Sequence, residues 1–319
     1  MSFRPGYFTE LIETFGRGWN RFWFLPSDPL PCAVLRIAVG LLVLFHLLSL
    51  SGDIDRWYAR AGLLPPATVQ TLVLAEVRSP YVHPSYFNYL GPTGTRIAHG
   101  LAIALAAAFT AGAVSRITGV FTALALLAYI HRLPLVAGHA DPALVFLVLY
   151  LSIGPADACL SVRRWLRGRR TGHLVQQPEQ RSYWATLSLR LIQVHLCAFV
   201  AMQALVKLNG DAWWNGEAIW ELLAQTHSRP FDLTWLRDYE LLVNFWTHAI
   251  VYYQLAFPVL IWNRLARPLL LVLGVAIWLS LALATGLLLF ALAMIVGSLA
   301  FVPASSYRAL SMRLPVPAR

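Results

Sequence analysis

Runs in which almost every position is apolar recur eight times along the chain. They fall at about Cys32 to Leu50, Ile97 to Val114, Ile117 to His131, Pro142 to Leu160, Leu187 to Val206, Leu241 to Trp262, Leu269 to Ala284 and Leu287 to Phe301. Several approach the length of about 20 residues that a helix needs to cross the hydrocarbon core of a bilayer. The third is short, and only Thr285-Gly286 separates the last two. The pattern predicts an all-α, polytopic membrane bundle of about eight transmembrane helices, organised as one domain over residues 1–319, since no fixed-period repeat divides it. Two further stretches read as interfacial. Within residues 8–25, Trp19, Phe22, Trp23 and Phe24 alternate with Arg17, Asn20 and Arg21 ahead of Pro26, as in an amphipathic helix lying on a membrane. Trp213, Trp214 and Trp220 read as an aromatic girdle at the other face. The long polar connection Ser51 to Thr95 contains Gly62-Leu63-Leu64-Pro65-Pro66 and Tyr81-Val82-His83-Pro84 and predicts short helices capping the bundle.

Composition agrees with that class: 58% of residues are hydrophobic and only 13% charged, more apolar than a soluble core requires. The net charge of +10 is distributed as topology charge, so it does not point to nucleic acid. Arg163, Arg164, Arg167, Arg169 and Arg170 set the loop after the fourth run in the cytoplasm, and alternation then places Arg116, Arg264, Arg267 and the tail from about 304 to 319 on the same side. Asp211, Glu217, Glu221, Asp232, Asp238 and Glu240 fall outside. Both termini are expected to be cytoplasmic, in a multi-pass protein of the plasma (inner) membrane whose first partner is the lipid bilayer. The N-terminus lacks the basic, apolar and small-residue sequence of a cleavable signal peptide. Cys32, Cys159 and Cys197 form neither a disulfide framework nor a CxxC pair, and no metal site is expected. Walker A, GxSxG and HExxH patterns are absent.

Charge also singles out one residue. Of the 25 lysines and arginines, only Lys207 is a lysine, and it stands where the fifth run meets Leu208-Asn209-Gly210-Asp211. Arginine keeps its proton in proteins, whereas a lysine amine can lose it in a low-dielectric site. At 100° per residue, Arg190, Gln193, Gln203 and Lys207 share an arc of roughly 140° on a helix, and a polar stripe on a membrane helix faces protein or water. A lysine at a helix end can equally snorkel to the headgroups while the glutamines bond to neighbouring helices. His139, ahead of Asp141-Pro142, falls on the same outer face as Lys207 and so can share its site; His131 and Arg132 compete for that role. His139 can also be an ordinary interfacial histidine. His46, His99, His195, His248 and Arg36 lie deeper and read as structural interhelical partners.

A resemblance adds to this. Phe22-Trp23-Phe24-Leu25-Pro26, Asp28-Pro29-Leu30-Pro31 leading into Leu35-Arg36-Ile37, Gly62-Leu63-Leu64-Pro65-Pro66, Val206-Lys207-Leu208-Asn209-Gly210-Asp211-Ala212-Trp213-Trp214-Asn215-Gly216, and Arg267-Pro268 before a final apolar hairpin resemble the HTTM (horizontally transferred transmembrane) domain family. That family includes the membrane part of vitamin K-dependent gamma-carboxylase, a lyase. The likeness extends from about Trp19 to Pro303, and its most specific stretch is the lysine segment. It implies that Lys207 deprotonates reduced vitamin K or menaquinone. Oxygen then generates a strong base that takes a proton from a glutamate γ-carbon, and carbon dioxide adds to the carbanion. It further implies that His139 assists carboxylation. Gln203 and Gln193 on the stripe, with Trp213 and Trp214 beyond it, are the candidate cofactor-binding residues. The sequence departs from the family where paired lysines become Val206-Lys207 and where Trp278 stands near an expected histidine, and no lumenal substrate-gripping domain is expected after the last apolar run. Bacterial relatives of similar size include proteins needed to mature an exported peptide toxin. Three functions remain open: an enzyme modifying an exported or membrane-delivered peptide; a non-enzymatic quinone- or lipid-binding or escort protein; and a transporter, which the absence of a repeat disfavours.

Overall fold

A computed structural model describes residues 7–77, 84–171, 180–225 and 230–313. Among these residues the protein is all-helical. In chain order the helices are α1 (Tyr7–Phe24), α2 (Leu30–Leu50), α3 (Ile54–Tyr58), α4 (Pro66–Val77), α5 (Pro92–Ala111), α6 (Ser115–Arg132), α7 (Ala140–Ile153) and α8 (Val162–Thr171). Then follow α9 (Tyr183–Leu208), α10 (Asp211–Asn215), α11 (Ala218–Ala224), α12 (Glu240–Leu260), α13 (Ala266–Thr285), α14 (Leu288–Ser298) and α15 (Ala304–Arg313). Each of the eight apolar runs falls on one of α2, α5, α6, α7, α9, α12, α13 and α14. Among the described residues four helices, α2, α5, α9 and α13, are long and apolar enough to cross a membrane. Large apolar side chains such as Leu41, Phe45, Leu101, Phe121 and Val272 stay exposed on these helices and on α6. Water would penalise so much uncovered apolar surface, and lipid does not.

The termini of these helices are written in local chemistry. Asp28 accepts from the Leu30 amide (3.0 Å) at the start of α2, and Ser182 accepts from the Trp184 amide (3.2 Å) at the start of α9. Each satisfies an amide that the first helical turn leaves without a backbone partner. Gly112 ends α5 in the left-handed region (φ 75°), where a side chain would also collide with the Arg36 guanidinium.

The fourth apolar run requires a correction: α7 stops at Ile153, although apolar residues continue to Leu160. Pro155 disfavours helical geometry at the preceding residue, and Gly154 is extended. The freed segment folds around Arg36, which is fully buried. Its Nη1 donates to Ala156 O (2.7 Å) and its Nη2 to Leu160 O (2.6 Å). Leu160 is itself left-handed (φ 45°), a costly backbone for a branched residue, and this guanidinium holds its carbonyl.

Arg132, 1% exposed, does the corresponding work at the end of α6. It donates to Tyr58 O (3.1 Å), Ala59 O (3.0 Å) and Leu64 O (2.8 Å), and so fixes the Gly62-Leu63-Leu64 turn between α3 and α4. The short helices expected between residues 51 and 95 are present as α3 and α4, while Tyr81, Val82 and His83 lie outside the described residues. In α1, Phe8, Leu11, Ile12, Phe15 and Trp19 form one exposed apolar stripe at helical spacing. The helix is tied to the bundle through α9, where Arg190 donates to Phe22 O (3.2 Å) and Thr186 donates to Leu25 O.

Candidate functional site

Lys207 occupies the last turn of α9 and lines a cavity of about 220 Å³. The wall is assembled from six helices and the turn before α7. Gln203 and Lys207 come from α9, Trp213 from α10, Leu222 from α11, Gln254 from α12, and Trp278 and Leu281 from α13. Phe290 of α14 and His139, the residue preceding α7, complete it. The α10–α11 pair covers the cavity because the chain reverses at Gly216. That residue is left-handed (φ 82°), and a side chain there would meet the Asn244 carboxamide, so the turn in Trp213-Trp214-Asn215-Gly216 demands glycine.

The Lys207 amine is held loosely. It lies 3.5 Å from Gln203 O, 3.3 Å from Gln203 Oε1 and 5.0 Å from the centre of the Trp213 ring. Among the described residues it has no carboxylate partner. Gln254 lines the same cavity. It is only 1% exposed, and its Oε1 has no hydrogen-bond partner. A buried acceptor left unmade costs about 1–3 kcal/mol, which a ligand hydroxyl or amide entering the cavity would recover.

His139 sits where two cavities meet. Its ring packs against Phe290, with centres 5.8 Å apart. On its other side is a second, almost wholly apolar cavity of about 140 Å³, lined by Phe146, Leu196, Phe199 and Met294, with Tyr150 and His195 on its wall. The turn bearing His139 is braced. His46 Nε2 lies 2.7 Å from Asp141 Oδ1, while Asp141 Oδ2 accepts from the Gly138 amide (2.6 Å).

The competing polar residues have structural engagements. Arg132 Nε and Nη2 are engaged by three backbone carbonyls, and His131 Nδ1 lies 3.1 Å from Pro84 O. His99 lies between Ser51 Oγ (2.9 Å) and Tyr129 OH (2.7 Å), and His195 lies against Tyr150 OH (3.1 Å). His248 contacts Asn244 O (2.8 Å) and Trp214 O (3.3 Å).

Of the six candidate site residues, the structure brings four together: Lys207, His139, Gln203 and Trp213. The other two are elsewhere. Trp214 is 63% exposed, with its indole donating to Leu208 O (2.7 Å), because the single turn of α10 sends consecutive indoles in different directions. Gln193 lies toward the opposite end of α9, bonded to Arg190 and to Ala300 O (2.7 Å), in a separate cavity. The helical wheel put it on the right stripe but said nothing of depth: 14 residues of helix separate it from Lys207 along about 21 Å.

Gln254, Trp278 and Phe290 were not among the candidates. Gln254 was detectable, since an amide inside the apolar run Leu241 to Trp262 must face protein by the same rule that selected Gln203. Among the described residues no group of histidine, cysteine and carboxylate side chains could hold a metal ion. No protein-family model, curated protein or solved structure matches the chain.

Proposed function

We propose that the Lys207 cavity is the reaction chamber of an HTTM-type membrane enzyme that uses a reduced quinone to carboxylate, or otherwise modify, an exported or membrane-delivered peptide. The observation that carries this reading is the convergence on one cavity of the chain's single lysine, His139 and the unpartnered Gln254 carbonyl. In this reading the eight helices that bear the apolar runs all cross the plasma membrane. Both termini are cytoplasmic, Lys207 opens toward the outer face, and α1 lies on the inner leaflet.

The lining suits an amphipathic ring compound. Trp213 and Trp278 offer flat apolar faces, Gln254 Oε1 an acceptor for a hydroxyl, and the apolar cavity beyond His139 a place for a hydrocarbon tail. When bound, a reduced quinone would supply, together with oxygen, a base stronger than any side chain, and carbon dioxide would supply the new carboxyl group. The protein's own part begins at Lys207, whose neutral amine accepts the proton of a hydroxyl placed in the chamber. Gln203 steers that amine through the two contacts from its carbonyl and carboxamide oxygens. Gln254 orients the hydroxyl, and the α10–α11 cover limits water. His139, held by the Asp141 turn, stands at the chamber boundary where it can donate a hydrogen bond to an anionic intermediate of the peptide or to carbon dioxide.

A second reading, a quinone- or lipid-binding or escort protein, draws on the apolar character of the 140 Å³ cavity. It requires occupancy without turnover. The deciding assay incubates the purified protein with reduced menaquinone or vitamin K, labelled bicarbonate and glutamate-containing peptides. The enzyme reading expects label in the peptide that depends on quinol and on Lys207. Tight quinol binding with no incorporation across peptides would favour the binding reading instead.

A further inference from the structure

At the other end of α9 lies a third cavity, of about 210 Å³, whose chemistry is opposite in kind. Its polar wall carries Arg190 and Gln193 of α9, Arg267 of α13, and Ser27 and Asp28 from the α1–α2 connection. Trp262 and Phe301 form much of the apolar wall. Two guanidiniums therefore face one space. The single carboxylate beside them is already neutralised, since Asp28 Oδ2 accepts from Arg308 Nε at 2.6 Å.

Neither guanidinium is exhausted by the fold. Arg190 uses Nε on Phe22 O and Nη1 on Gln193 Oε1 (2.9 Å), while its plane lies over the Phe22 ring, 4.3 Å from the centre. Arg267 uses Nε on Ile261 O (3.1 Å) and Nη2 on Trp262 O (3.3 Å). Arg190 Nη2 and Arg267 Nη1 make no hydrogen bond to protein among the described residues. On the same wall the Ser27 hydroxyl is buried without a partner. Unspent donors from two arginines and a serine, beside an aromatic wall, form a receptor for a tetrahedral oxyanion attached to an apolar body.

We propose that this cavity binds a phosphate anion, and that its source is the headgroup of an anionic membrane phospholipid. The lipid enters beside the α1–α2 connection, between Arg190 of α9 and Arg267 of α13, and its phosphate bridges these two arginines. Because Arg190 also holds the α1 backbone at Phe22, an occupied site fastens the amphipathic α1 helix to the bundle. The inference does not depend on chemistry at Lys207.

The test is native mass spectrometry of the full-length protein released from micelles containing equal amounts of phosphatidylglycerol and phosphatidylcholine. Inorganic phosphate and glycerol phosphate serve as competitors. Wild type is expected to retain phosphatidylglycerol over phosphatidylcholine by roughly tenfold. Arg190→Gln and Arg267→Gln should each lose that preference, and Arg267→Lys should restore part of it. Ser27→Ala leaves both arginines and the α1 attachment in place, so it stays informative if a glutamine variant misfolds; it should weaken retention about threefold. Equal retention of the two lipids by wild type, or a preference untouched in folded Arg267→Gln and Ser27→Ala, overturns the site. Displacement of the lipid by millimolar inorganic phosphate would keep the anion chemistry and overturn the lipid as its source.

Discussion

The two ends of α9 present the same kind of residue, a cation beside a glutamine, and treat it in opposite ways. At one end Arg190 is gripped by Phe22 O, Gln193 Oε1 and the Phe22 ring. At the other, Lys207 has only two long contacts to Gln203 and a distant indole face. The rigid fork of arginine suits a place where charge must hold backbone together, as it does still more completely at Arg36 and Arg132. A lysine held loosely keeps its amine available to a ligand. Among the described residues Arg36, Arg132 and Arg190 brace backbone carbonyls, whereas the lysine amine is held only by its long contacts to Gln203.

The sharpest way to break that contrast is Lys207→Arg. Charge and much of the stem remain, but a group that can be neutral is lost. Carboxylation should fall by about 10²–10⁴-fold, the range of a removed general base, while thermal unfolding of the purified protein stays near wild type. Activity retained in the arginine variant would reduce Lys207 to a charge anchor.

Arg36→Gln should do the reverse. The carbonyls of Ala156 and Leu160 lose their charged donors, so stability is expected to drop by roughly 3 kcal/mol, seen as a lower melting temperature, while quinol affinity of the folded fraction is unchanged. A smaller effect sharpens the chamber itself. Gln254→Leu should raise the KM for quinol about 5- to 10-fold, and it should leave stability equal or slightly higher because an orphaned acceptor has been removed. A KM that does not move would take Gln254 out of the site.

The smallest effect concerns Asp28, at the Arg190 end. Burial pushes its carboxyl up, but the Arg308 hydrogen bond, the Leu30 amide and the nearby arginine charges outweigh that and hold it below its ordinary value of 3.8. A depressed carboxylate stabilises the fold above its unfolded value and loses that contribution as pH falls through the folded one. Melting temperature should therefore decline from about pH 4 downward, and Asp28→Asn should flatten that part of the curve. An unchanged acid limb in the variant would mean the Asp28–Arg308 contact contributes nothing.

Much of this architecture was legible in the residues. Eight apolar runs mark eight helices, and length together with hydropathy separates the four that, among the described residues, qualify as spans. The end of α7 was misjudged because hydropathy cannot see that Gly154-Pro155 stops a helix while Val162 still lies ahead. The Lys207 stripe was visible as an angle on a wheel, but a wheel has no depth, so Gln193 was grouped with a site it does not reach. Trp213 and Trp214 could not be told apart until α10 gave each a direction. Gln254 belongs to the chamber only through the packing of α12 on α9, a tertiary fact that no single helix carries.

The central claim is that the sole lysine is an available amine inside a ligand chamber, and its chemical uniqueness gives a direct measurement. A small amine reagent is applied to the protein in native membranes, and the rate of modification at Lys207 is followed by mass spectrometry of its peptide, with and without reduced menaquinone. The expected result is steady modification by the small reagent, strong protection by the quinol, and little reaction with a bulky membrane-impermeant analogue. Equal modification by both reagents, indifferent to quinol, would place Lys207 among the headgroups and contradict the account.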